Sequence, residues 1–472
     1  MATQRTSIHG QWSSRLVFIL AATGSAVGLG NIWKFPYITG EHGGGAFVLI
    51  YLLCIALVGI PIMIAEVMLG RRGRQSPINT MRSLLAEEGA HRGWSLLGWS
   101  GMIAGFLILS YYSVIAGWAL AYVFRTGSGL FVGATADGVS AIFGEFAGSP
   151  ERLLGWHTLF MLMTMIVVAR GVRSGLEQAV KFLMPALLVI LLLLVGYAMA
   201  SGDFMHGVRF LFQPDFSRLD QGAILVAMGH AFFTLSLGMG SIMVYGSYLP
   251  KEASIASSAV IIALADTAVA LLAGMAIFPI VFGNGLEAGA GPSLIFQTLP
   301  LAFGQMPWGS FIGGLFFVLL VFAAWSSAIS LIEPAVSWLV ENRGWSRVYA
   351  STMTGAVTWA LGIASIFSFS GVTLQDIILS LVGGEGEPAA GGLLAMTVFD
   401  ILDYLTANIM LPLGGLFIAL FAGHVMSRES VREELAMRSP LMFRLWFGTV
   451  RTVTPVLVVL VFLSAIGVIG GE

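Results

Sequence analysis

Long apolar stretches recur along the whole chain and are separated by short polar segments. A helix that crosses a bilayer needs about 20 mostly apolar residues, and on that criterion the sequence predicts about eleven spans. The predicted spans lie at residues 13–38, 45–70, 96–124, 154–171, 177–200, 222–249, 255–283, 308–341, 346–367, 397–424 and 441–469. Because the polar segments leave no soluble module, we predict an all-α polytopic membrane protein whose residues 1–472 form one domain.

The amino-acid composition supports the same class. Hydrophobic residues make up 57% of the chain and charged residues 10%, whereas ordinary soluble domains carry about 25% charged residues. The net charge of −2 argues against a nucleic-acid partner. Cys54 is the single cysteine, which excludes a disulfide within the chain. The sequence has no His-Glu-x-x-His, Gly-x-Ser-x-Gly or phosphate-loop motif, so we do not expect an enzyme.

The positions of Lys and Arg predict the orientation of the spans. With the N-terminus in the cytoplasm, most of the 23 Lys and Arg residues lie on the cytoplasmic side, as is usual for membrane proteins. The outer loops then hold only Arg125, Arg152, Arg209 and Arg218. An odd number of spans places the C-terminus outside, and we expect a multi-pass protein of a bacterial inner membrane.

Paired glycines interrupt the first and the sixth predicted span. The first contains Gly28-Leu-Gly30 and the sixth contains Gly238-Met-Gly240. Unwound backbone is tolerated at membrane depth only where protein buries it or water lines it. The matching positions predict two inverted five-span halves with a substrate site between them. The alternative is that these glycines merely allow close packing of membrane helices.

Ionisable side chains inside a membrane are costly and usually mark functional sites. The predicted spans contain Lys34, Glu66, Asp266, Glu333 and Asp403. Asp266 has apolar neighbours in the sequence, so its carboxyl group must either take up a proton or pair with a cation. Sodium is a hard cation that prefers oxygen ligands, and Asn31, Thr234 and the free carbonyl groups of the broken helices offer them. A protonated Asp266 with a purely structural role is the alternative.

Other polar residues allow two interpretations each. The adjacent hydroxyl groups of Ser326 and Ser327 suit a second cation, but such groups also commonly bond to their own or a neighbouring helix. Glu66 is suited either to hold the free amides of a broken helix or to pack between helices. Lys34 and Asp403 are candidates for an outer ion pair that opens and closes.

Several longer motifs are specific to one family. They are Trp12-Ser-Ser-Arg15, the run from Gly24 to Pro36, Gly43-Gly-Gly-Ala-Phe47, Gly59-Ile-Pro61, the run from Phe232 to Gly238, and Ser326-Ser327. With them the chain resembles the neurotransmitter:sodium symporter family over nearly its whole length. The resemblance implies a LeuT-type 5+5 inverted repeat with unwound first and sixth spans. The implied repeats cover residues 12–200 and 220–425, and an additional eleventh span covers 441–470.

The resemblance also implies two sodium sites and a substrate site. The first sodium site would consist of Ala26, Asn31, Thr234 and Asp266. The second would consist of Gly24, Val27, Ala323, Ser326 and Ser327. The substrate site would include Ala26, Gly28, Gly30, Ile108, Tyr112, Phe233, Thr234, Ser236, Met239, Ser327 and Leu331.

Gates and structural residues follow from the same resemblance. Lys34 and Asp403 would form the outer gate. The inner gate would be formed by Trp12, Tyr248 and Glu341. Gly175 and Pro185 would allow the fifth span to unwind, and Glu66 would be a structural acid. His9 stands where relatives have the Arg of the inner gate, and we consider Arg5 as a substitute partner for Glu341.

Two departures from the family pattern bear on the cargo. Gly28 stands where monoamine carriers have an Asp, which favours a substrate that brings its own carboxylate. Asp266 stands in place of an Asn and supplies a negative charge, which predicts chloride independence. We therefore expect a monomeric symporter that imports hydrophobic amino acids (Leu, Ile, Val, Met, Phe, Tyr or Trp) with two sodium ions by alternating access. Proton coupling, a different small zwitterion and a non-transporting receptor are the alternatives.

Overall fold

The computed structural model is all-helical, which confirms the predicted class. It describes residues 5–219, 221–287, 293–382, 392–466 and 468–469. Within these ranges β pairing is limited to two isolated bridges, Gly44 with Pro214 and Thr373 with Thr397. The main helices follow the predicted spans, and we number them as segments 1 to 11 after those spans.

The segments have the following bounds. Segment 1 comprises Arg15–Ala26 and Gly30–Glu41, segment 2 Gly45–Gly73, segment 3 Arg92–Gly127, segment 4 Pro150–Ala169, segment 5 Val172–Ser201, segment 6 Gln221–Thr234 and Ser241–Ser247, segment 7 Ile255–Gly283, segment 8 Gly309–Arg343, segment 9 Arg347–Phe369, segment 10 Val398–Val425 and segment 11 Pro440–Leu463. Short helices connect them at Pro77–Glu88, Ala136–Ala147, Phe204–Phe212, Leu299–Gln305, Leu374–Val382 and Arg428–Leu435.

The number of spans differs slightly from the expected eleven. In the described part of the chain, nine helices are long and apolar enough to cross a membrane, and the bent pair of segment 1 makes ten. Segment 6 does not meet the length criterion because its helix stops at Thr234 and resumes only at Ser241. The difference therefore arises from the helix interruption that the glycines predict.

The two breaks have identifiable causes. In segment 1 the helix leaves the helical conformation at Val27, whose ψ is 108°, and the two halves are bent by 53°. In segment 6 the residues Ser236, Gly238 and Gly240 have φ angles of 54°, 77° and 76°. Glycine adopts such left-handed conformations without steric cost, whereas other residues rarely do. The glycines of segment 6 thus permit the interruption, and Ser236 is held in it by the surrounding structure.

Close packing places the two breaks beside each other. Segment 1 packs against the second half of segment 6 as well as against segments 5, 7 and 8, and segment 3 packs along segment 8. A methyl group added at Gly105 would lie 2.8 Å from the carbonyl oxygen of Leu331, so glycine is needed for this approach. Small residues allow such backbone proximity between membrane helices. The breaks consequently lie in the interior of the bundle, surrounded by protein.

Candidate ion and substrate site

A buried carboxylate lies next to both breaks. Asp266 Oδ1 accepts a hydrogen bond of 2.7 Å from Asn31 Nδ2, and Asp266 Oδ2 accepts one of 2.9 Å from Thr234 Oγ1. All three side chains are buried. Asn31 Oδ1 in turn accepts from the Gly28 amide at 3.0 Å, which fixes the break of segment 1. The residues predicted for the first sodium site are therefore together, with Ala26 ending the adjacent helix.

The chemistry of this first oxygen cluster favours a cation. A buried carboxylate is strongly destabilised unless it is paired, and its partners here are neutral amide and hydroxyl groups. Asn31, Thr234 and Asp266 contribute side-chain oxygens, which are the ligands that hard cations prefer. The helix break at Val27 adds backbone groups that lack helical partners.

A second oxygen cluster lies between segments 1 and 8. The hydroxyl group of Ser327 is within 3.4 Å of the carbonyl oxygens of Gly24 and Val27, and the hydroxyl group of Ser326 donates to the Ala323 carbonyl at 3.1 Å. All five residues predicted for the second sodium site are thus brought together. The cluster consists of neutral oxygens and is the second place in the bundle that suits a hard cation.

Most of the predicted substrate residues surround a small cavity next to the two clusters. Its lining is Ser25, Ala26, Gly28, Leu29, Gly30, Ile108, Tyr112, Phe233, Ser236, Met239, Ser327 and Leu331. Of the predicted substrate residues only Thr234 is not in this lining, because its hydroxyl group points to Asp266. The volume is about 20 Å³, enough for roughly one water molecule. A larger ligand requires the lining side chains to move apart.

Two hydrogen bonds shape the cavity and involve residues that sequence reasoning missed. Tyr112 Oη accepts from the Leu29 amide at 3.2 Å, and Ser236 Oγ donates to the Ser25 carbonyl at 2.8 Å. Ser25 and Leu29 contribute backbone groups, so their side-chain types carry no signal. Their position within the glycine-rich run was the available clue.

A second cavity of about 180 Å³, here called the vestibule, adjoins the first and shares the lining residues Leu29, Gly30, Tyr112 and Phe233 with it. Lys34 and Asp403 both line it, but they contact other residues. Lys34 Nζ lies 5.1 Å from the centre of the Phe233 ring, and Asp403 Oδ1 accepts from the Tyr111 hydroxyl at 3.3 Å. Among the ion pairs of the described residues none joins Lys34 to Asp403, so the predicted outer pair is not formed in this conformation.

The face that carries the N-terminus is closed by a network around Trp12. The Trp12 amide donates to the Tyr248 carbonyl at 3.0 Å, and its indole Nε1 donates to the Tyr245 carbonyl at 3.1 Å. The Tyr248 hydroxyl donates to Glu333 at 2.7 Å, and Glu333 also pairs with Arg347. These buried bonds tie the N-terminal tail (residues 5–14) to segment 6, and segment 6 to segments 8 and 9.

The partner of Glu341 is His9, and the suggestion of Arg5 is wrong. His9 Nε2 lies 3.1 Å from Glu341 Oε1, and the Ser76 amide and Asn79 Nδ2 also donate to this carboxylate at 2.7 and 2.8 Å. Arg5 instead pairs with Glu87 at 2.8 Å. The two basic residues are four apart in the chain, and each reaches a different acid.

The remaining predicted residues lie near the breaks or in segment 5. Glu66 Oε2 accepts from the Gly238 amide at 3.1 Å, in the break of segment 6. Segment 5 is continuous helix in this conformation, with a π-helical turn at Val172–Leu176 and with Pro185 inside it. Gly175 is in that turn, and a methyl group there would lie 2.1 Å from the Val167 carbonyl oxygen. Sequence reasoning missed Glu177, which directly follows the turn and binds Ser13.

Comparisons with known proteins agree with this geometry. Residues 9–130 and 151–469 match the family model described as "Sodium:neurotransmitter symporter family". An uncharacterized sodium-dependent transporter of Bacillus subtilis, YhdH, is 38% identical over 464 residues, 97% of this chain and 98% of the relative. One of Haemophilus influenzae is 32% identical over 459 residues, covering 96% and 97%. The crystal structure of MhsT in complex with L-phenylalanine superposes with a TM-score of 0.85 at 42% identity, covering 97% and 99%.

Proposed function

The chain belongs to the sodium:neurotransmitter symporter family, and from that premise we propose that it imports hydrophobic L-amino acids together with sodium ions. Membership of the family makes it a sodium-dependent multi-pass membrane transporter and not an enzyme. The identity of the cargo, the number of ions and the orientation are the parts that we propose.

The lining of the central cavity carries the proposal for the cargo. Ile108, Phe233, Met239 and Leu331 give it apolar walls, and no charged side chain is among its lining residues. An apolar side chain fits such a pocket, because a charged one would be left without a partner. The amide groups near Gly28 and the Tyr112 hydroxyl are suited to bind the carboxylate of an amino acid. MhsT, which was solved with L-phenylalanine, supports the same cargo class.

We assign one sodium ion to each oxygen cluster. The first ion is held by Ala26, Asn31, Thr234 and Asp266, and the carboxylate of the cargo completes its shell. The second is held by Gly24, Val27, Ala323, Ser326 and Ser327. Sharing the first ion couples the two solutes, because neither binds well alone. Two sodium ions that each cross 100 mV and a tenfold gradient supply roughly 7 kcal/mol, enough for about 10⁵-fold accumulation of a neutral amino acid.

Alternating access explains the different states of the two faces. We place the N-terminal face in the cytoplasm of a bacterium, where Trp12, Tyr248 and Glu341 close the inner gate. Lys34 and Asp403 are separated at the outer gate, which supports an outward-facing state in which the central cavity itself is still contracted. Unwinding of segment 5 between Gly175 and Pro185 would then release the second ion inward. A monomer suffices for this cycle.

Sodium-driven uptake is the first expected result. Liposomes that contain the purified protein should accumulate radiolabelled leucine or tryptophan when an inward sodium gradient is applied. The accumulated level should be about tenfold or more above that reached when potassium replaces the external sodium, since two sodium ions supply ample energy. Liposomes without protein are the control. Accumulation driven by a pH gradient in the absence of sodium would favour the proton-coupled alternative. No uptake of either amino acid would overturn the hydrophobic cargo and turn attention to smaller zwitterions.

Chloride replacement should leave uptake unchanged. In this proposal Asp266 supplies the negative charge beside the first ion, so a mobile anion has no role there. The initial rate of sodium-driven uptake should stay within about twofold when gluconate replaces chloride on both sides, a factor worth less than about 0.5 kcal/mol. Loss of transport in gluconate would contradict the role given to Asp266.

A further inference from the structure

The N-terminal tail is attached to segment 5 through one acid. Glu177 Oε2 accepts from the Ser13 amide at 3.1 Å, and Glu177 Oε1 accepts from the Ser13 hydroxyl at 2.6 Å. Lys181, one turn further along, donates to the same oxygen at 2.6 Å. Arg173 adds a bond of 3.2 Å from its Nε to the Gln11 carbonyl. The side chain of Glu177 is only 5% exposed although it faces a polar tail.

Two features interrupt the regular α-helical hydrogen bonding on either side of Glu177. The stretch that carries it begins with the π-helical turn Val172–Leu176, a geometry that is rare and usually confined to functional sites. It ends at Pro185, which has no amide hydrogen to donate to the carbonyl of Lys181. The stretch from 172 to 184 therefore depends on side-chain anchors more than the rest of the segment does.

The same stretch covers the second oxygen cluster. Met184 is buried and directly precedes Pro185. A methyl group added at Gly24 would lie 2.9 Å from Met184 Sδ and 3.2 Å from Ser326 Cβ. Gly24 and Ser326 are two of the five residues of that cluster, so Met184 closes it on the side of segment 5. Movement of this stretch would uncover the cluster.

We propose that Glu177 is a positioning residue that clamps the N-terminal tail to segment 5 and so keeps Met184 over the second oxygen cluster. Undocking of the tail removes the two Ser13 donors from Glu177 and the Gln11 acceptor from Arg173, and leaves Glu177 with its Lys181 pair. Release of the tail and opening of segment 5 then become one event. The link between this opening and sodium release rests on the proposed function. The clamp itself concerns only the stability of the helix over residues 172–184.

Hydrogen exchange of the full-length protein in lipid nanodiscs with sodium tests the clamp. We compare Glu177→Gln and Ser13→Ala with the wild type and with Glu433→Gln, the same change at an exposed position in the short helix Arg428–Leu435. Hydrogen bonds to a charged carboxylate are stronger than those to a neutral amide. Weakening them should make local opening of the helix more frequent. Exchange across residues 172–184 should be about tenfold faster in Glu177→Gln and faster by a smaller factor in Ser13→Ala, which keeps the amide donor.

Each outcome decides the proposal. Faster exchange in both variants, with unchanged exchange in segment 8 and in Glu433→Gln, supports the clamp. Wild-type exchange in both variants overturns it. Faster exchange in Glu177→Gln alone would assign the effect to the Glu177–Lys181 pair within the helix and would also overturn a clamp on the tail. Hydrogen exchange measures opening of the backbone and not transport. The clamp can therefore be tested even if the protein does not transport leucine or tryptophan.

Discussion

Replacing Asp266 by asparagine should raise the sodium concentration for half-maximal uptake by about 100-fold or more. Two unit charges 4 Å apart attract each other by about 4 kcal/mol at an effective dielectric constant of 20, which corresponds to roughly a thousandfold in affinity. Asparagine keeps the shape and can still bond to Asn31 and Thr234, so the loss of charge is the main change. Sodium activation of amino-acid uptake in proteoliposomes measures the effect.

Asp203→Asn is the matched control for this substitution. Asp203 is about half exposed and caps the helix Phe204–Phe212 by accepting from the His206 amide. Asparagine caps helices as well as aspartate does, so sodium activation should stay within about twofold of the wild type. An unchanged sodium dependence in Asp266→Asn would remove Asp266 from the first ion site.

Adding one methyl group at Gly28 should reduce sodium-dependent binding of the amino acid by about 10- to 100-fold. A Cβ atom at this position would lie 2.7 Å from Ser327 Oγ and 2.8 Å from Tyr112 Oη. One of these groups must move, and overpacking of this kind costs about 1–3 kcal/mol. Ser327 belongs to the second oxygen cluster and Tyr112 to the substrate cavity, so the displacement affects both ligands. Binding of labelled leucine or tryptophan to the purified Gly28→Ala variant measures it.

Gly196→Ala provides the comparison at a glycine of segment 5. Apart from the nearby backbone of its own helix, no atom lies within 4 Å of the Cβ position there, and alanine favours helix over glycine by about 1 kcal/mol. This variant should bind the amino acid with an affinity close to that of the wild type. Normal binding by Gly28→Ala would mean that the cargo is not held at the break of segment 1. An equal loss of amino-acid affinity in Gly28→Ala and Gly196→Ala would mean that any added methyl group in the helices disturbs binding.

The sequence predicts the helices well because the cost of unpaired backbone in lipid leaves few options. Errors occur where polar residues enter a helix. Segment 5 starts at Val172, five residues before the predicted 177, since Arg173 and Ser174 in the π-helical turn resemble a loop. The break of segment 6 was predicted from its glycines, but the left-handed φ of Ser236 was not. That conformation is imposed by neighbours, such as the Ser25 carbonyl that Ser236 binds.

The grouping of the site residues was predicted by motifs, whereas their pairing was not. Asp266 and Ser327 lie in the clusters to which the resemblance assigns them. The contact of Lys34 with Phe233 instead of Asp403 depends on the relative position of two segments, which differs between conformations of such a protein. The assignment of His9 to Glu341 depends on a tail that has no regular structure. Side-chain partners in such places are set by tertiary geometry.

The tail that closes the N-terminal face has consequences for leakage. Its nine residues from 5 to 13 reach three acids on three different elements, through Arg5 to Glu87, His9 to Glu341 and Ser13 to Glu177. When one of these three contacts breaks, the other two hold the broken pair close together, so the contact re-forms quickly. The tail therefore detaches only when all three contacts open at nearly the same time. In the proposed cycle, rapid reclosure of partly opened states would therefore limit the passage of ions without cargo.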